Sequence, residues 1–189
     1  LRGVVDSSDL PLNVSRETLQ DNRIMRVINK NVVKKIIDSL EEMKNNERDE
    51  YVKIWNEFGK VLKEGVHTDF ANREKLAELL LFQSNKTEDG KYVSLAEYLE
   101  RMPEGQKSIY FITGDSRQAV SNSPLLETFE SHDYEVLFMI DPIDEWVVQS
   151  LNKYNECDLR SIAKGDIDLD ETAPEEENEG DMDKDSDKD

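Results

Sequence analysis

The sequence is poor in the residues that most metal sites and covalent mechanisms need. Its 189 residues include one cysteine, Cys157, and two histidines, His67 and His132. A single cysteine excludes an internal disulfide framework and is typical of a reducing compartment, so we expect a cytoplasmic protein. The sequence has no His-Glu-x-x-His, no Cys-x-x-Cys and no Gly-x-Ser-x-Gly motif. These absences argue against a zinc site and against a serine nucleophile triad.

Glycine, long apolar runs and basic residues are also scarce. The 8 glycines form neither a P-loop nor a dinucleotide-binding fingerprint. No apolar run approaches the roughly 18 residues of a membrane span, and residues 1–6 lack both an initiator Met and a signal-peptide pattern. Lysine and arginine total 24 against 43 acidic residues, a net charge of −19. We therefore expect binding to neither nucleic acid nor an anionic membrane, since both need clustered basic side chains.

More than half of the net charge belongs to the last 25 residues. Residues 165–189 contain 13 acidic residues and 2 lysines, with Ile167, Leu169 and Met182 as their large apolar side chains. A segment this polar cannot offset the entropy cost of ordering its backbone. We expect a disordered acidic tail on a mildly acidic body.

The start of this tail imitates a calcium-binding loop. The spacing Asp166-x-Asp168-x-Asp170 suits the first ligands, but Glu171 occupies the sixth position, where such loops need glycine. We interpret the segment as solvated and expect no bound metal.

Helical periodicity dominates the region that precedes residue 103. An apolar stripe at steps of three and four runs from Met25 to Met43, and Asn45-Asn46 ends it. The pattern predicts a second helix whose inward side carries Tyr51, Ile54 or Trp55, Phe58, and Val61 or Leu62, with Gly65 at its end. It predicts a third helix over about 72–82, and a fourth that begins with the Ser94–Glu97 capping box and ends at Pro103. Residues 21–102 are therefore predicted to be helical throughout, with a helical coil over 21–90.

The period then changes to that of buried strands. Ser108–Thr113 and Tyr134–Ile140 are near-continuous apolar runs, each followed by turn residues and a helical pattern. The second of these helices begins at Asp141-Pro142 and, by its spacing, places Trp146 inward. Strand, helix, strand, helix predicts a parallel βαβ unit with both faces covered. The fold class is mixed α/β, with a small three-layer α/β/α sandwich over residues 91–164.

Three groups of residues are candidates for function. Arg16, close to Asn13 and Gln20 before a helical stretch, could clamp a phosphate, although a surface salt bridge is the ordinary interpretation. The Thr113–Ser116 turn follows a strand and precedes a helix, where anions can bind. Trp146, with Glu145 and Gln149 on an adjacent face, is either a core residue or, if exposed, part of a protein-binding patch.

Several stretches resemble the ninety-kilodalton heat-shock chaperone family. The first, Leu1–Gln20 (LRGVVDSSDLPLNVSRETLQ), is similar to that family's signature segment. Later stretches in the same order are Trp55–Gly59, Ile109–Gly114, Ser123-Pro124 and Asp141–Trp146. Glu145-Trp146 and Leu159–Lys164 are most similar to the bacterial HtpG branch. The likeness extends to about residue 165 and indicates the second half of a middle domain.

The resemblance implies a role in an ATP-dependent stress-response chaperone that assists the folding of client proteins. It implies that residues 1–20 are the last strand and catalytic-loop segment of a larger subdomain. It also implies that Arg16, with Asn13 and Gln20, acts in the nucleotide site of a separate N-terminal domain. Trp146, Glu145 and Gln149 would bind client proteins. ATP and Mg would belong to the parent protein, a homodimer that also binds co-chaperones, whereas this segment alone would be a monomer without bound cofactor or ATPase activity.

Two other classes of function remain open at this point. One is a stand-alone adaptor or scaffold module without nucleotide chemistry, which a start codon directly before Leu1 would favour. The other is a small phosphate-binding enzyme that uses Asp115, Ser116 and Asp141. No base or metal cluster in the sequence supports the enzyme.

Overall fold

The computed structural model describes residues 23–164; predictions for residues 1–20 and 165–189 lie outside this range. The helices within it are α1 Arg23–Asn46, α2 Arg48–Thr68, α3 Arg73–Ala77, α4 Leu95–Arg101, α5 Arg117–Ser121, α6 Pro124–Ser131 and α7 Asp144–Ser150. The strands are β1 Leu81–Ser84, β2 Val93–Ser94, β3 Ser108–Thr113, β4 Val136–Met139, β5 Lys153–Tyr154 and β6 Cys157–Ser161.

The strands form one mixed sheet in the order β2-β1-β4-β3-β6-β5. β3 lies at its centre and pairs in parallel with both β4 and β6. The outer pairs are antiparallel, β1 with β2 and β4 on one side and β5 with β6 on the other. The predicted parallel βαβ unit is therefore confirmed, and antiparallel strands extend it at both edges.

Alternation along β3 and β4 divides the core into two clusters, one on each face of the sheet. Ile109 and Phe111 of β3 pack into a first cluster with side chains of α2, α3, α4 and α7. Tyr110 and Ile112 pack into a second cluster with side chains of α5 and α6. Helices thus cover both faces of a central sheet, which confirms the predicted mixed α/β class and three-layer arrangement.

Local sequence explains where several helices begin and end. The Ser94 hydroxyl accepts a hydrogen bond from the Glu97 backbone at 3.2 Å, and the Glu97 carboxylate accepts one from the Ser94 backbone at 2.6 Å. This is the predicted capping box, and α4 then ends at Arg101 before Pro103. Pro124 lies at the first turn of α6, where its missing N–H costs no hydrogen bond.

The prediction that residues 21–102 are helical throughout is wrong. The third helix, α3, ends at Ala77, and Leu81–Ser84 forms strand β1 instead of a helix through Phe82. Leu79, Leu80, Leu81 and Phe82 are all buried, so this run has no polar face that would mark a helix. Pairing of β1 with β4, far along the chain, decides its conformation. The sheet consequently begins before residue 91, where the α/β unit was predicted to start.

The predicted inward face of α2 is also partly wrong. Its buried residues are Tyr51, Trp55, Gly59, Lys63 and Val66, a stripe that advances mainly in steps of four. Phe58, which was predicted to lie inward, is 58% exposed. Of the two alternatives Val61 and Leu62, Leu62 packs against the core and Val61 is 61% exposed. The helix continues past Gly65 to Thr68. The apolar pattern could not predict this stripe, because two of its residues are a glycine and a lysine.

The hydroxyl of Tyr98, a residue of the first cluster, joins three segments of the chain. It donates a 2.6 Å hydrogen bond to the Glu135 carbonyl and accepts one from the Gln106 side chain at 2.9 Å. It also accepts a 3.0 Å bond from the Tyr110 backbone N–H. Burial raises the pKa of this hydroxyl, so it stays protonated at ordinary pH.

We predict that Tyr98→Phe lowers the free energy of unfolding by about 1–3 kcal/mol, because it leaves buried backbone groups without their partner. Tyr92→Phe is the matched control, since its hydroxyl donates only to exposed Asn56 at 2.9 Å. That variant should change stability by less than about 0.5 kcal/mol. Urea denaturation of both proteins measures the difference, and equal losses would contradict this role of Tyr98.

Candidate functional site

A buried ion cluster attaches α7 to α2. Lys63 of α2 is 4% exposed, and its Nζ lies 2.8 Å from Asp141 Oδ2 and 2.8 Å from Asp144 Oδ1. Asp144, the first residue of α7, is itself fully buried. Its other oxygen, Oδ2, accepts a 2.9 Å hydrogen bond from the Asp141 backbone N–H. One lysine therefore holds both the start of α7 and the turn that precedes it.

Aromatic rings surround the buried ammonium group. Lys63 Nζ lies 5.7 Å from the ring centroid of Trp55 and 5.2 Å from that of Phe82. These distances permit a favourable cation–π interaction, which partly replaces the water that the ammonium loses on burial. Lys60 approaches Asp141 from the solvent side, with its Nζ 3.3 Å from Oδ1 and its side chain 74% exposed.

The two carboxylates respond differently to this environment. Burial tends to raise the pKa of Asp141, but hydrogen bonds and charges from Lys63 and Lys60 lower it below its ordinary value. For Asp144, burial outweighs the attraction of Lys63 and raises the pKa. Asp141 is thus the firmly ionised partner of Lys63, and Asp144 is the one whose charge is costly to bury.

The attachment of α7 leaves Trp146 on the surface. Asp144 and Val147 of α7 and Leu151, which directly follows the helix, form a buried stripe at spacings of three and four. Trp146 directly precedes Val147, so its side chain lies on a different face of α7 from the buried stripe, and it is 51% exposed. The sequence interpretation that placed Trp146 inward is therefore wrong, because the buried residue at the start of the stripe is an aspartate that apolar periodicity does not count.

Contacts with α2 orient the exposed indole. The His67 ring meets it edge-on, with ring centroids 4.9 Å apart and an angle of 62° between planes. His67 Nδ1 lies 2.7 Å from Ser150 Oγ, one turn after Trp146. Glu145 and Gln149, the other predicted members of the site, are exposed on the same helix. We call Glu145, Trp146, Gln149 and His67 the Trp146 surface.

The groups proposed for a phosphate-binding enzyme have other roles in this structure. The Thr113–Ser116 turn does join β3 to α5, but the Ser116 hydroxyl accepts a 3.2 Å hydrogen bond from the Ala119 backbone and caps α5. Asp141 is paired with the two lysines described above. Across residues 23–164, no three His, Cys, Asp or Glu side chains are placed to hold a metal ion.

Three predicted catalytic residues, Asn13, Arg16 and Gln20, lie outside the described residues. Conversely, sequence reasoning missed Lys63 and Asp144, which build the support of the site. The one sequence feature that could have indicated a structural role for Asp144 is its position at the start of a helix, three residues after Asp141. For Lys63 the sequence offered none, because it resembles the many exposed lysines of α1 and α2.

Comparison with known proteins identifies the family. The family model described as Hsp90 protein matches residues 1–188 of the chain. The chain belongs to the Hsp90 family. This confirms the resemblance stated from the sequence motifs, and the Hsp90 match continues beyond residue 165, where that resemblance was expected to end.

The HtpG branch of the Hsp90 family provides close relatives. Chaperone protein HtpG of Geobacter metallireducens is 58% identical over 167 residues, which cover 88% of this chain and 26% of that protein. Chaperone protein HtpG of Francisella tularensis subsp. novicida is 48% identical over 171 residues, covering 90% and 27%. The chain thus spans about a quarter of the length of these curated relatives.

A solved Hsp90-family structure has the same fold. The middle domain of a Plasmodium falciparum heat shock protein superposes with a TM-score of 0.72 at 38% sequence identity. The match covers 77% of this chain and 61% of that one. The predicted assignment to a middle-domain segment of the HtpG type is therefore confirmed. In the described part of the chain, no helix combines the length and the apolar character needed to cross a membrane.

We predict that Lys63→Met lowers the free energy of unfolding by about 3–5 kcal/mol, because it leaves the buried Asp144 carboxylate without its cation. Lys60→Met is the matched control, since it removes an exposed lysine from the same Asp141. We expect that variant to lose less than about 1 kcal/mol. Denaturant unfolding monitored by circular dichroism compares them, and similar losses would contradict a supporting role for Lys63.

Proposed function

We propose that this segment is a working part of an ATP-driven chaperone that assists the folding of client proteins. Membership of the Hsp90 family supports this, as do two relatives whose names describe them as chaperones. The activity belongs to the full-length protein, of which the chain covers about a quarter in its relatives. The segment contributes a client-binding surface and a catalytic arginine.

The observation that carries the client-binding proposal is the exposure of Trp146. Large aromatic side chains that stay half exposed are costly in water and are frequent energetic centres of protein interfaces. Glu145 and Gln149 supply polar groups beside the ring, as the rim of an interface does. The buried Lys63 cluster holds α7 rigidly, so little entropy is lost when a partner binds.

The proposal for Arg16 rests on the family resemblance of residues 1–20. A guanidinium that reaches the nucleotide site of another domain would stabilise the negative charge that develops on the γ-phosphate during hydrolysis. Asn13 and Gln20 would help to shape the loop that carries Arg16. ATP and Mg would be bound by that other domain, and the segment alone should bind ATP negligibly, which a titration with ATP tests directly.

For Trp146→Ala we predict about tenfold weaker binding of an unfolded polypeptide, because the exposed ring contributes contact area that alanine lacks. Reduced, carboxymethylated α-lactalbumin is a suitable probe, and fluorescence anisotropy measures its affinity. The free energy of unfolding should change by less than about 1 kcal/mol, since the side chain is already half exposed. A large loss of stability would instead assign Trp146 a packing role.

Phe58→Ala is the matched control for this experiment. Phe58 is 58% exposed and lies nine residues before His67 on α2, which places the two side chains on opposite sides of that helix. The control should bind the probe with unchanged affinity. Equal weakening by both substitutions would show that any exposed aromatic residue suffices and would remove the special role of the Trp146 surface.

For Arg16→Ala in the full-length protein, we predict a fall in ATP turnover on the order of 10²-fold with nucleotide affinity retained. The reason is that the arginine would act on charge present only in the transition state. Steady-state hydrolysis and nucleotide titration separate the two effects. Arg23→Ala, at the start of α1, is the control and should keep its turnover. Unchanged turnover of the Arg16 variant would exclude it from the mechanism.

A further inference from the structure

The segments that follow β3 and β4 leave the sheet towards opposite faces. After β3 the chain enters α5 and α6, which pack on the second core cluster. After β4 it enters α7, which packs on the first cluster at the other face. Open α/β sheets bind ligands in the crevice that such a divergence opens outside the carboxyl ends of the two strands. Since β3 is parallel to both β4 and β6, the carboxyl ends of all three strands lie at one edge of the sheet.

Two clefts lie side by side along this carboxyl edge. The first, with a volume of about 350 Å³, lies at the ends of β3 and β4. The second, with a volume of about 620 Å³, lies between α7 and the ends of β3 and β6. Thr113 and Glu145 line both clefts, which therefore form one continuous groove. Both volumes are usual for ligand sites, which range over roughly 300–1,000 Å³. We call this site the carboxyl-edge groove.

The larger cleft has an apolar floor. Phe111 of β3, Leu159 of β6 and Val148 of α7 contribute to it. Val148 and Leu159 pack against the first core cluster but are only partly buried, so part of their apolar surface remains accessible. Glu145 and Gln149 line the same cleft beside Val148, because residues three and four apart are neighbours on a helix. An apolar side chain of a partner would remove this floor from water.

Positive charge is in excess at the β6 end of the groove. Arg160 and Lys164 both line the larger cleft there. The carboxylate of Asp158 lies 3.8 Å from the Arg160 guanidinium and also 3.4 Å from Lys153 Nζ, so one acid is shared by two bases. Glu145, the acidic residue of the larger cleft, lies where that cleft joins the smaller one. A carboxylate of a partner would therefore be attracted to the β6 end.

The form and charge of the groove indicate what it binds. We propose that the carboxyl-edge groove binds an extended client segment in which an apolar side chain enters the floor and a neighbouring acidic side chain pairs with Arg160 and Lys164. Glu145 and Gln149 belong both to this groove and to the Trp146 surface, so the bound segment would continue onto the exposed indole. This inference rests on the client binding proposed above and adds to it the chemistry of the segment that is bound.

The apolar and charged contacts would have different effects. Burial of an apolar side chain on the floor supplies most of the affinity. The exposed cations mainly select which segment binds, because rim charges influence specificity and association rate more than affinity. We therefore expect a preference for acidic over basic segments, but only when an apolar side chain is also present.

Three labelled peptides test the proposal with the full 189-residue chain. Each is an unstructured Gly-Ser peptide with Leu-Asp-Leu, Leu-Lys-Leu or Ser-Asp-Ser at its centre, and fluorescence anisotropy measures its affinity. At 0.15 M salt the Debye length is about 8 Å, so the net charge of the whole chain is screened. The Leu-Asp-Leu peptide should bind about fivefold more tightly than Leu-Lys-Leu and about tenfold more tightly than Ser-Asp-Ser. Equal affinities, or no binding of Leu-Asp-Leu at millimolar concentration, would overturn the proposal.

Charge reversal locates the binding site. Arg160→Glu/Lys164→Glu should reverse the preference, so that Leu-Lys-Leu binds about fivefold more tightly than Leu-Asp-Leu. Lys91→Glu/Lys107→Glu is the matched control, since it changes the net charge equally with two exposed lysines outside the groove. Lys107 directly precedes β3, at the opposite end of the sheet. The control should keep the preference of the parent chain, and the same behaviour of both double variants would exclude the groove.

Val148→Thr tests the apolar floor with little change of shape. The added hydroxyl should weaken binding of the Leu-Asp-Leu peptide on the order of threefold and leave Ser-Asp-Ser unaffected. Circular dichroism verifies that the variant is folded. Unchanged affinity for Leu-Asp-Leu in the folded variant would overturn binding on this floor.

Failure of the groove can be distinguished from failure of the proposed function. If Trp146→Ala weakens binding of carboxymethylated α-lactalbumin but the peptides show no preference, client binding stands and the groove is overturned. If the peptides behave as predicted but Trp146→Ala has no effect, the groove stands as a peptide-binding site and the role of Trp146 is overturned.

Discussion

The site depends on one buried cation. Lys63 lies where α2, the sheet and the start of α7 meet, and it pairs with Asp141 and Asp144 in a site walled by aromatic rings. A buried ion pair seldom adds net stability compared with apolar residues of the same size, because both charges lose their water. The ion cluster instead restricts how α2 and α7 can be oriented, because an ammonium group and two carboxylates can pair without water in only a few arrangements. The orientation of α7, and with it the exposure of Trp146, follows from that constraint.

Much of the fold could be predicted from local chemistry. The capping box at Ser94 and Glu97, the end of α1 at Asn46 and the parallel pair β3–β4 depend on neighbours in sequence or on unbroken apolar runs. β1 could not be predicted in this way. Its buried residues suit a helix or a strand equally, and a hydrogen-bonding partner more than 50 residues later decides between them.

Three members of the candidate site, Glu145, Trp146 and Gln149, could be selected from the sequence, but His67 and the support of the site could not. Motifs resembling the Hsp90 family selected Glu145, Trp146 and Gln149, whereas apolar spacing alone placed Trp146 in the core. Spacing failed because the buried stripe of α7 begins with Asp144, and a charged residue is not expected inside until its partner is known. That partner, Lys63, lies 81 residues earlier in the numbering of the chain.

The order in which paired strands occur along the sequence has a consequence for synthesis of the chain. β1 must wait for β4, and β3 must wait for β6, because each pairs with residues about 50 positions later. At ribosomal rates of roughly 5–20 residues per second, β1 spends several seconds without its main partner. Among the strands of residues 23–164, only the two-residue strand β2 can pair with it sooner. The order of the strands along this chain therefore leaves β1 without its β4 partner for this interval, and unpaired strand edges are sites at which chains aggregate.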